Sequence, residues 1–167
     1  MGFDGYEADG WRSQWRRVNR WFDRLEEISK NRATHGSPEE WDIAYAFFQN
    51  AVFLKDWLVN SRAIEARTVE IFFDVHWELR LCQDVSNGTK HFKLRNPRSK
   101  ILAMVPREYE DPGLERDPDQ MVWLLGLFDE NRGFGTIDVF QLAKRCMDTW
   151  RLFLDSHGLD PEEPTVV

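Results

Sequence analysis

Residues 37–58 read SPEEWDIAYAFFQNAVFLKDWL, and no other stretch constrains the fold as strongly. Ser37, Pro38 and Glu40 supply a capping hydroxyl, a proline at the first helical position and an acid at the third, a combination that starts a helix. From Trp41 onward the helix is apolar almost all round: Trp41, Ala44, Tyr45, Phe47, Phe48, Ala51, Val52, Phe53, Leu54, Trp57 and Leu58. A helix of this kind has to be contacted on several sides, so it is expected at the centre of the domain. Lys55 and Asp56 interrupt its surface. A carboxylate among bulky neighbours is costly unless paired, so Asp56 is expected to be buried and bonded to an indole N–H, Arg80 or His91.

Other segments offer the enclosing surfaces. Residues 11–30 place Trp11, Trp15, Val18, Trp21, Phe22, Leu25 and Ile28 at helical spacing, with Arg12, Arg16, Arg20 and Arg24 forming a second stripe. A third helix is expected from about Thr68 to about Asn87. The last helix starts at the cap pair Asp138 and Gln141, carries Phe140, Ala143, Cys146, Met147, Trp150, Phe153 and Leu154, and stops at Gly158. Between these the period changes. Phe92 and Leu94 alternate with Lys93 and Arg95, and ILAMV (101–105) and MVWLLGLF (121–128) read as strands. Residues 106–120 form an acidic, proline-rich loop. Gly133-Phe134-Gly135 belongs to a hairpin turn, since no strand–glycine-loop–helix unit surrounds it. The expected architecture is α+β: about four main helices packed with a small antiparallel β-sheet formed by the middle and C-terminal-third segments. It is expected as a single domain over 1–167, with 1–10 and 159–167 flexible.

Charge and composition exclude some functions. Against 22 Lys and Arg stand 29 Asp and Glu, and a net charge of −7 is the wrong sign for a whole-surface nucleic-acid binder. The 8 Trp and 12 Phe supply large buried areas, so comparatively few residues suffice for a core. Cys82 and Cys146 sit in apolar surroundings and read as reduced, buried thiols. No Cys/His cluster has metal-ligand spacing and no cofactor motif is present, so neither a metal nor a cofactor is expected. The N-terminus lacks a secretory signal and no apolar run is long enough for a membrane span. The expected location is cytoplasmic, without membrane contact.

One segment looks chemical. RLCQDVSNGTKHF (80–92) begins as a buried helix and ends in polar groups. At about 100° per residue, Arg80, Asp84, Asn87 and His91 share one narrow face, with Ile71, Val75, Cys82 and Val85 opposite. This holds if the helix persists to His91; if it ends at Asn87-Gly88, His91 opens the first strand instead. On such a face His91 can act as general acid or base, with Asp84 setting its tautomer. The spacing of Asn87 and His91 resembles the polar-residue–spacer–His motif of the HEPN superfamily of compact helical domains, over roughly residues 11–91. Ser86 stands where that family has Arg. The resemblance implies metal-independent RNA cleavage, as in toxins and defence proteins. His91 would be the acid or base, Asn87 would orient it, and Lys90 or Arg80 would neutralise phosphate.

The arginines of the first helix, Arg12, Arg16 and Arg20, interleave with Trp11, Trp15 and Trp21 and form the best local basic patch for RNA. The bland alternative is an amphipathic helix whose arginines pair with the acidic remainder. His35 and His76 read as solvated or packed groups. The spacing of Arg151 and His157 is what chance supplies. The leading reading is a non-catalytic protein-interaction module with a protein partner or self-association as a homodimer. HEPN-like RNA cleavage is the alternative, with RNA as partner.

Overall fold

The computed structural model describes residues 9–30, 37–88, 101–104, 124–129 and 133–162. Among them are five helices: α1 (Trp11–Lys30), α2 (Pro38–Asn60), α3 (Ala66–Val75), α4 (Trp77–Gly88) and α5 (Val139–Ser156). Three short strands, β1 (Ile101–Met104), β2 (Leu124–Asp129) and β3 (Gly133–Asp138), pair antiparallel in the order β1-β2-β3. Ile101 lies opposite Asp129, and Leu124 opposite Asp138.

α2 forms for the reasons its sequence implies. The Ser37 hydroxyl accepts from the Glu40 amide at 3.3 Å while the Glu40 carboxylate accepts from the Ser37 amide at 3.0 Å, closing a capping box. Ala44, Phe47, Phe48, Ala51, Leu54 and Leu58 are then buried. α1 covers one side: Phe22 lies 5.8 Å from Phe47, and the buried Gln14 amide donates to the Asn50 carbonyl at 2.9 Å. α4 covers another, where the Cys82 thiol donates to the Phe48 carbonyl at 3.5 Å. α5 joins through Phe140, stacked 5.6 Å from Phe22. Asp56 is exposed, opposite Leu54 and Leu58 on the helix, so the expectation of a buried, paired carboxylate is corrected. Asp42 and Asn60 are exposed on the same side of α2 as Asp56.

α5 is capped at both ends. The Asp138 carboxylate accepts from the Gln141 amide at 2.8 Å. At the other end Gly158 takes a φ of 64°, and its amide bonds the Asp155 carbonyl while Leu159 bonds Leu154. This pairing leaves Leu159 packed against the core and ends the helix, as a left-handed glycine permits.

The α+β expectation is overturned. The described residues are mostly helical, and the core they show is built chiefly by helices. Among the described side chains, Leu125 is the only buried apolar residue that a strand carries. The number of helices also differs, because the expected third helix is two. His76 adopts φ −101° and ψ 103°, ending α3, and its carbonyl accepts from the Arg80 amide to open α4. The break resets the helical phase. Val69 and Phe73 face inward on α3, while Ile71 and Val75, expected to share the apolar side with Cys82, are 54% and 69% exposed. The expected alternation at Phe92 and Leu94 lies outside the described residues.

Two substitutions probe this construction. Phe47→Ala is expected to cost about 3–5 kcal/mol in chemical denaturation, since it empties the point where α1 meets α2. Ser37→Ala removes half of the capping box and is expected to cost about 1 kcal/mol by the same measurement.

Candidate functional site

The polar residues of α4 are placed differently from the face that the helical wheel predicts. Arg80, Asp84 and Asn87 are brought within two turns of one another, but Asp84 is only 2% exposed and Ser86 only 1%. Arg80 and Asn87 are half-buried. The Arg80 Nε is buried and makes no hydrogen bond among the described residues. α4 has α2 on one side and β1 and α5 on others, so a stripe opposite Cys82 is covered too. Asp84 is therefore an interior group and not part of a solvent-facing polar face. His91 and Lys90 lie outside the described residues, beyond the end of α4 at Gly88.

The arginines of α1 engage the chain's own groups. Arg12 Nε donates to the Asp160 carbonyl at 2.9 Å, and its guanidinium lies 4.9 Å from the Trp11 ring. Arg16 pairs with Asp9, and Arg17 donates to Gln14 at 2.9 Å. Arg20 is exposed, and Arg24 sits 4.7 Å over Trp21. Trp11 and Trp15 are buried, so these two indoles offer no face for a base to stack on.

A polar cluster that no sequence motif announces lies at the α3–α4 break. Glu78, in the first turn of α4, stands where exposed amides and the helix dipole favour an anion. The Thr149 hydroxyl of α5 donates to Glu78 Oε1 at 2.5 Å, and His76 Nδ1 lies 3.3 Å from the same oxygen. The His76 ring rests 4.1 Å from Phe72, Phe72 lies 4.7 Å from Phe153, and Phe153 lies 4.3 Å from His157. His157 Nδ1 in turn sits 2.8 Å from the Phe153 carbonyl. Hydroxyl and imidazole thus address one carboxylate oxygen. A relay would need the base to face the hydroxyl; this arrangement braces two helices instead.

Around the brace, large apolar side chains reach solvent. Ile71 and Val75 stand on the outer side of α3, Trp77 at the junction is 38% exposed beneath Arg145 at 5.8 Å, and Leu152 on α5 is 57% exposed. The contacts Phe72–Phe153, Phe73–Trp150, Glu78–Thr149 and Trp77–Arg145 run in opposite chain directions. The α3–α4 segment therefore lies antiparallel along α5, which brings these exposed groups onto neighbouring elements. A signal for the break was present in the sequence. The inward stripe Val69, Phe73 continues at helical spacing to His76 and Arg80, which no apolar stripe contains.

Among the described residues no group of three or more His, Cys, Asp or Glu side chains is arranged to hold a metal, and no helix is long and apolar enough to cross a membrane. No family model, no curated protein and no solved structure matches the chain.

Burial pushes the Cys146 thiol well above its ordinary value of 9.0, with Cys82 and Glu78 acting in the same direction. Above that ordinary value the unfolded chain loses the thiol proton while the folded chain keeps it. The unfolded state then binds fewer protons, so stability falls as pH rises. Denaturant midpoints at pH 8 and pH 10 are expected to show this loss, with Cys146→Ala flattening it. Separately, Glu78→Ala strands the buried Thr149 hydroxyl and is expected to cost about 1–3 kcal/mol in chemical denaturation.

Proposed function

We propose that the chain is a cytoplasmic, non-catalytic interaction module that self-associates as a homodimer through the face formed by α3, the α3–α4 junction and α5. The observation that carries this reading is the exposure of Ile71, Val75, Trp77 and Leu152 on these adjoining elements. Large apolar groups held in water by a braced junction mark a surface that a partner covers. A second copy suits the face because its charges are complementary to themselves. α3 brings the exposed Asp74, while α5 brings the exposed Arg145. A two-fold axis setting α3 of one copy against α5 of the other matches opposite signs twice.

Light scattering behind size-exclusion chromatography is expected to give a dimer for the native chain. The variant Ile71→Glu with Val75→Glu changes only exposed positions, so helical circular dichroism is expected to be retained. Dimer affinity should fall by roughly 30-fold or more, the effect of losing about 2 kcal/mol from a central contact. A native chain that stays monomeric at high concentration would sink the proposal. The competing reading, RNA cleavage through His91, is separated by incubating RNA with the chain in a chelator. Cleavage that disappears in His91→Ala would favour the nuclease; none in either chain favours the interaction module.

A further inference from the structure

The chain contains two cysteines, Cys82 on α4 and Cys146 on α5, and both are buried. The Cys146 thiol donates to the Glu78 carbonyl at 3.4 Å. Glu78 and Cys82 are one turn apart on α4, so this carbonyl is also the one that faces the Cys82 amide in the helical ladder. The Cys146 sulfur therefore sits against the turn of α4 that carries Cys82. Cys82 is near enough to act on the Cys146 thiol through a side-chain hydrogen bond, which adds to burial in raising the Cys146 pKa. Both are at most 1% exposed, and neither belongs to the polar brace or to the exposed apolar face.

We propose that Cys82 and Cys146 form an intramolecular disulfide site, which staples α4 to α5 when the chain meets a peroxide. One thiol, after losing its proton, attacks a peroxide oxygen; the O–O bond breaks, giving a sulfenic acid and one water. The second thiol attacks that sulfur, the S–S bond forms, and the sulfenic oxygen leaves as a second water. The two thiols lose two electrons and two protons in all, and the peroxide is reduced to two waters. Burial keeps the thiolate scarce and the sulfurs out of reach, so reaction waits on opening of the α4–α5 contact. Reclosure then brings the second sulfur to the first. The site accordingly responds slowly in the folded protein and quickly during folding, and it closes the chain between α4 and α5 into a loop that includes the three strands.

The test uses the unaltered full-length chain. It is treated with hydrogen peroxide, unfolded in denaturant, and exposed to iodoacetamide before intact-mass measurement and proteolytic mapping. The expected product takes up no label, is lighter by two hydrogens, and yields one peptide pair joining Cys82 to Cys146 that dithiothreitol separates. Its melting temperature is expected to rise by roughly 5–10 °C, because the closed loop restricts the unfolded chain. Full labelling of both thiols after prolonged exposure would overturn the proposal. So would sulfinic acid at either sulfur without a joined peptide, or cross-links only between molecules. A joined form that melts lower would overturn the staple as well, since the sulfurs would then meet only by distorting the helices.

Discussion

A helix that is apolar around most of its circumference cannot rest on the outside of a domain, and α2 sets this condition for everything packed against it. Its burial requires partners on several sides, which α1, α4 and α5 supply. Each partner brings a face to match. α1 offers Trp11, Trp15, Val18 and Leu25, and α5 offers Val139, Leu142, Cys146, Trp150 and Phe153. Among the described strand side chains, Leu125 and Ile137 reach this core. The helical character of the fold is thus a consequence of one segment's composition.

Enclosing α2 also forces the break at His76. A single straight helix from 66 to 88 would have to bury Val69 and Phe73 at one end and Leu79, Leu81, Cys82 and Val85 at the other. No single period places all of these on one side. Ending α3 at Val75 and restarting at Trp77 satisfies both ends. The junction is then held from outside, by Glu78 bonded to Thr149 and facing His76, and by the ring contacts from His76 through Phe72 to Phe153. Ile71, Val75 and Trp77 are left turned toward solvent as a by-product of that phase change. The candidate interface is therefore a consequence of how the core packs.

Acidic charge and arginine-rich α1 are reconciled by the same geometry. The indoles of Trp11 and Trp15 are spent on the core, and the guanidinium groups of Arg12, Arg16 and Arg17 meet Asp160, Asp9 and Gln14 of the same chain. Arginine beside an aromatic ring serves equally well to anchor a helix and to hold a phosphate. What distinguishes the two uses is which ring face remains open.

Local chemistry made some features legible in the sequence. The capping box at Ser37, the Asp138 cap, the glycine stop at Gly158, the burial of Cys82 and Cys146 and the central position of α2 all depend on residues within a turn or two of one another, or on a strong apolar surplus. The tertiary structure alone decided that Asp84 lies inside, that Asp56 lies outside and that Glu78 meets Thr149. A helical wheel tells which residues share a side, but not how many sides are covered. Coverage depends on elements distant in the chain, and the phase of a helix depends on whether its backbone is allowed to break.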